Sequence, residues 1–132
     1  MDTRADWDIA LRHEEARVAR YGRPAAVLAV RLRVPVSSVV DNYAQRVGGA
    51  IRQQARETDR VTRVSQDRFQ VLLPETVEAE ATVLADRVRT ACVALLPGLP
   101  ASELEIVVAA ASTSTGGTLH EALRTVHART DG

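Results

Sequence analysis

The sequence predicts a single α/β domain of the α+β kind, and three observations carry the prediction. Its 132 residues are 45% hydrophobic, enough for one core and too few for two comfortable ones. Short apolar runs bounded by Gly, Pro, Ser or Asp alternate with longer segments whose apolar residues recur at helical spacing. Two of the short runs follow each other closely enough to pair as a hairpin.

Taken in order, Thr3 to Tyr21 places Trp7, Ala10, Leu11 and Val18 on one side of a charged helix that Gly22 and Pro24 stop. AAVLAVRLRV, residues 25 to 34, is short and mostly apolar, as expected of a buried strand whose far end reaches solvent at Pro35. Ser37 or Ser38 can cap a second helix carrying Val40, Tyr43, Ala44, Val47, Ile51 and Ala55 as its apolar stripe. Gly48 and Gly49 interrupt it, each costing about 1 kcal/mol relative to Ala, which points to a close packing contact; a lone GG lacks the rest of a phosphate loop. DRVTRV and RFQVLL form the hairpin around Ser65, Gln66 and Asp67. Thr76 is expected to cap a third helix that buries Val77, Ala81, Leu84, Val88, Ala91/Cys92 and Leu95. LEIVVAAAS, residues 104 to 112, reads as another buried strand. Thr118 caps a last helix bearing Leu119, Ala122, Leu123 and Val126. GLPAS at 98 to 102 and STSTGG at 112 to 117 read as loops.

Composition excludes several function classes. Lys+Arg and Asp+Glu both number 17, so no excess charge draws the chain to nucleic acid or an anionic membrane. Every basic residue is arginine, which rules out lysine chemistry and leaves guanidinium as the strong anion ligand. The single Cys92 allows no internal disulfide and is expected in the core. His13, His120 and His127 have no partners at metal or triad spacing and are expected at the surface, so neither metal nor cofactor is expected. No apolar run approaches the roughly 20 residues of a membrane span, and a cytoplasmic location is expected.

LRHEEARVARYGRPAAVLAVRLR, ARETDRVTRVSQDRFQVLLPET and VLADRVRTA, in this order and spacing, resemble the GGDEF domain, the diguanylate cyclase fold that joins two GTP molecules into cyclic di-GMP. The resemblance implies a central, mostly antiparallel sheet flanked by helices and related to the palm of nucleotide polymerases and cyclases. It also places Ser65, Gln66, Asp67, Arg68 and Phe69 at the signature turn, where the family has two glycines and an acidic pair. The glycines let backbone amides approach phosphate, and Ser65 and Gln66 restrict that freedom. Of the acidic pair Asp67 remains, and Arg68 replaces the second carboxylate. The family's Asp-x-Asp at the end of the first strand falls on Arg31, Leu32 and Arg33. Arginines there would repel the Mg²⁺ that oxygen ligands attract. The following segment is several residues shorter than the family pattern, with Asp41 near the base-reading position, and HARTDG lacks the terminal phosphate contacts. The resemblance therefore implies a degenerate, noncatalytic member, not an enzyme.

RETD, Arg56 to Asp59, matches the family's RxxD motif at the usual distance before the turn. Arg87 matches a position that often supplies a second arginine to the same ligand. The resemblance implies a cyclic di-GMP site in which Arg56 and Arg87 take phosphate or guanine edges and Asp59 accepts from guanine. An exposed i,i+3 ion pair is the plain alternative reading of Arg56 and Asp59. Arg31, Arg33 and Arg68 are a second candidate anion cluster. The rival reading of the whole chain is a module that binds a protein partner or a second copy of itself, and no nucleotide.

Overall fold

The computed structural model describes residues 1–33, 37–95, 105–113 and 117–131, with no side-chain description for 37–42. The GLPAS loop, part of STSTGG and the side chains of Ser37, Ser38, Val40 and Asp41 lie outside the described residues. The chain runs α1 (Arg4–Tyr21), β1 (Ala25–Arg33), α2 (Ser37–Gln54), β2 (Arg60–Ser65), β3 (Arg68–Pro74), α3 (Glu78–Val93), β4 (Glu105–Ser112) and α4 (Leu119–Asp131). This is the order read from periodicity.

Among the described residues the four strands form one sheet in the order β2-β3-β1-β4, and each neighbouring pair is antiparallel. Helices cover both faces. Ala26, Leu28, Val30 and Leu32 of β1 enter a core with α2 and α3, through residues such as Val47, Ile51, Ala85, Val88 and Cys92. Ala25, Val27 and Ala29 enter a second core with Trp7 and Leu11 of α1 and Leu119, Ala122 and Val126 of α4. Successive strand residues point to opposite faces, so a strand covered on both sides must be apolar throughout, as AAVLAV is.

The helix ends follow local chemistry with one exception. Thr3 Oγ1 accepts from the Asp6 amide, and Gly22 closes α1 at φ 65°, a left-handed conformation that glycine adopts without a Cβ penalty. Thr118 Oγ1 likewise accepts from the Glu121 amide at 3.1 Å. The expected cap Thr76 instead donates to Pro74 O, and the N-cap position before α3 falls one residue later on Val77, which has no side-chain acceptor and stands partly exposed. Thr76 is engaged elsewhere, as described below.

The two glycines of α2 have different surroundings. A Cβ on Gly48 would lie 3.2 Å from the ring of buried Phe69 and 2.8 Å from the Met1 methyl, whereas one on Gly49 would meet open space. Close packing thus explains Gly48, and nothing in the structure explains Gly49. Gly49→Ala is expected to stabilise the domain by about 1 kcal/mol through helix propensity. Gly48→Ala should lose that gain to crowding against Phe69 and come out destabilised by about 1 kcal/mol. Denaturant titration of the pair checks both signs.

Candidate functional site

Arg56 to Asp59 form the joint between α2 and β2. Asp59 is buried, its side chain fully so, and its carboxylate accepts from the Arg56 amide at 2.7 Å and from the Arg56 guanidinium at 3.1 Å. Arg56 Nη2 also donates to Pro74 O at 3.0 Å and Thr76 Oγ1 at 2.7 Å, tying the joint to the end of β3. Arg52 holds Asp59 O from the preceding turn of α2. A buried carboxylate is tolerated because these donors satisfy it. The pair is therefore more than a solvated i,i+3 contact, although half of the Arg56 side chain stays exposed.

Arg87 reaches the same place from α3, donating to Gln54 Oε1 at 3.0 Å. Gln54, Arg56, Asp59, Thr76, Glu80 and Arg87 share a cleft of about 150 Å³ floored by Leu73 and Leu84. Gln54 has no role in the sequence reading, and Thr76 only that of a helix cap. Their signal was only adjacency: one precedes the RETD joint and the other follows the strand that Arg56 grips.

The turn between β2 and β3 meets the end of β1. Arg31 pairs with Arg68 across β1 and β3, and the Leu32 amide donates to Asp67 O at 2.7 Å. Ser65 Oγ donates to Asp67 Oδ1, and the Arg63 guanidinium donates to the carbonyls of Ser65 and Gln66. Among the described residues only Glu75 and Gly22 have positive φ, so the turn closes without left-handed backbone and has no conformational need for glycine.

Arg31, Arg33 and Arg68 converge on the last turn of α4. Arg33 Nη2 donates to Thr130 O at 2.8 Å, Arg31 Nη1 to Thr130 O at 3.3 Å, and the Asp131 carboxylate lies 3.2 Å from Arg31 and 2.6 Å from Arg68. Asp67 and Glu105 stand 3.8 and 3.6 Å from Arg31 and Arg33. The three cations thus face carboxylates and the negative end of a helix dipole. Asp131 was also missed by sequence. An acid in the last turn opposes the dipole, and that mismatch was the available sign of a cationic partner.

Cys92 is buried, as expected, and burial pushes its thiol up to about 11. His120 is exposed and pairs with Glu15, whereas His127 is half-buried against Gln70 at 2.5 Å. No group of three or more His, Cys, Asp or Glu side chains among the described residues lies close enough to hold a metal ion. No described helix is long and apolar enough to cross a membrane.

A sequence model described as Diguanylate cyclase, GGDEF domain, matches residues 37–129. The fold is similar to that of a DGC protein from Thermotoga maritima, with TM-score 0.78 and 17% identity over 94% of this chain and 92% of that one. It is similar to the GGDEF domain of DgcB from Caulobacter crescentus in complex with c-di-GMP, with TM-score 0.72 and 14% identity over 95% and 80% of the two chains. It also resembles the active GGEEF domain of a diguanylate cyclase from Vibrio cholerae, with TM-score 0.65 and 16% identity over 89% and 87%. No curated protein sequence matches significantly.

These findings correct the expectation that the chain is not an enzyme: the matching family is that of diguanylate cyclase domains, and an active cyclase domain is among the folds it resembles. That expectation took arginine at aligned positions as fixed positive charge on a metal site. In the structure the three guanidiniums turn to α4 and are paired there, so residue type alone did not describe the field.

Asp131→Asn tests the α4 contact. If only the dipole mattered, removing this acid would stabilise the helix. The expected result is the opposite: faster amide exchange in the last turn of α4 and a loss of about 1 kcal/mol or less, since the groups are partly exposed.

Proposed function

The chain belongs to the GGDEF, diguanylate cyclase domain, family, and from that premise we propose that it acts in cyclic di-GMP signalling as a receptor, binding the dinucleotide through Arg56, Asp59 and Arg87. We read residues 1–132 as one such domain working in the cytosol. The observation that supports the receptor reading is the convergence of Arg56 and Arg87 on one cleft above buried Asp59.

The chemistry suits the ligand. Two planar guanidinium forks can take phosphate oxygens and purine edges, and both are exposed enough to swing outward. The cleft of about 150 Å³ admits only part of a dinucleotide, so most of the ligand lies across its rim. Binding exchanges the Arg87–Gln54 contact for a charge-assisted one. Asp59 already has its hydrogen bonds from Arg56, so its role is to hold that arginine in place as well as to offer an acceptor.

A second reading, docking of a protein partner or another copy of the chain, is favoured by Val83 and Val93, which are 59% and 54% exposed on α3. Isothermal titration with cyclic di-GMP separates the two. Micromolar binding that Arg87→Ala weakens about tenfold or more is the expected outcome, because a charge-assisted contact is lost without disturbing Asp59. Absence of heat at tens of micromolar ligand would sink the receptor reading and leave the docking one.

A further inference from the structure

The sheet has two edges and treats them differently. At β2 the N-terminal residues lie alongside: the Asp2 amide donates to Val61 O at 2.8 Å, Thr62 Oγ1 donates to Asp2 O at 3.0 Å, and Arg60 pairs with the Asp2 carboxylate. At β4 the described residues add no further strand. Edge strands are usually blunted by charge, proline or a bulge, because unpaired amides and carbonyls recruit another chain. EIVVAAAS has its one charge at Glu105, no proline, and an unbroken register with β1 from Glu105 to Ser112.

Strand geometry says which groups are open. The Thr113 amide donates to Ala25 O, so the odd-numbered residues of β4 bond to β1 and the even-numbered ones turn their amides and carbonyls away from the sheet. Ala110 O accepts from Arg129 at 2.9 Å, and among the described residues the outward groups of Ile106 and Val108 have no partner. The helix above has a matching flank. α3 packs chiefly on β4, while its Leu84 and Arg87 turn to Gln54 of α2. Thr82, Arg89 and Val93 recur at helical spacing on the opposite flank, which overhangs the open edge, with Asp86 on its outer rim. All four are exposed, Val93 by 54%, and Asp86 and Arg89 pair with each other at 3.2 Å.

Strand edge and helix flank are self-complementary about one axis. β3 and β4 are both antiparallel to β1, so α3, which joins them, runs back against β4. With 16 and eight residues the two elements are equally long, about 25 Å, and their midpoints lie together. We propose that β4 pairs antiparallel with β4 of a second copy of this chain, about a two-fold axis at Val108, joining two four-stranded sheets into one. Val108 then lies opposite its copy and Ile106 opposite Ala110, each such pair exchanging two backbone hydrogen bonds. Glu105 projects to the α4 face, where it already meets Arg33, and falls beside the second copy's Arg129, which leaves Ala110 O to the incoming Ile106 amide. On the other face the two α3 helices come to about 10 Å, an ordinary packing distance, with Asp86 of each near Arg89 of the other and Val93 over Thr82. This pairing rests on the docking reading, to which it gives a surface and an occupant, and not on the receptor reading.

Sedimentation equilibrium of the full chain without nucleotide tests the pairing, with a dimer expected at concentrations on the order of tens of micromolar. Asp86→Arg and Arg89→Asp are exposed changes that leave the fold intact. Each should weaken self-association about tenfold or more, because like charges then meet twice across the axis, and an equimolar mixture of the two variants should restore it. Val108→Pro removes an outward amide without touching the β1 ladder and should give a folded monomer. Amide exchange locates the contact: Ile106 and Val108 should exchange more slowly as protein concentration rises. Four results would overturn the proposal: a monomer at hundreds of micromolar, a mixture that associates no better than its components, a dimer whose Ile106 and Val108 amides stay unprotected, or protection of those amides at every concentration, which would mean that the chain itself covers the edge. None of these bears on cyclic di-GMP binding, and a blank titration with the dinucleotide leaves the interface standing.

Discussion

Strand β1 lies between β3 and β4 with helices on both faces, so each step along it carries a side chain from one core into the other. The even-numbered residues Ala26 to Leu32 pack towards α2 and α3, and the odd-numbered ones towards α1 and α4. This parity outlasts the apolar run. It sends Arg31 and Arg33 to the α4 side, where Thr130 O and Asp131 receive them. The antiparallel register then sets Arg68 opposite Arg31, on the same face. Three arginines gather at one helix end because pleating and register leave them nowhere else to go.

Charge in this chain is organised by neighbours more than by number. With 17 basic and 17 acidic residues, the whole molecule has no field worth naming, yet locally the arginines clamp backbone carbonyls and carboxylates at the places where elements join. Arg56 ties α2 to the end of β3, Arg33 and Arg31 tie β1 to α4, and Arg63 closes the hairpin turn on itself. A guanidinium can do this where an ammonium cannot, since its fork serves several oxygens in one plane. Such clamps carry modest energy at half-exposed sites. Their larger effect is to fix orientation.

Arg56 stands with Arg87 over Asp59. The same guanidinium is hydrogen-bonded to Asp59, Pro74 O and Thr76. The joint is thereby tied to the start of α3, because Thr76 belongs to the turn that leads into it.

The sequence alone determined the elements and the cores. Gly22, Thr3 and Thr118 fixed helix ends through local hydrogen bonds, and the stripes of α1, α3 and α4 named most of the buried residues, since burial follows periods that a single segment carries within itself. The order and spacing of the motifs also carried the family. Tertiary structure decided which residues meet the ones the sequence named. Thr76 reads as a cap until Arg56 takes its hydroxyl. Asp131 gave no sign of function until the sheet brought three cations to it. Each of these depends on a partner on another element, from 20 to 100 residues away in the chain, and no local period records such a partner.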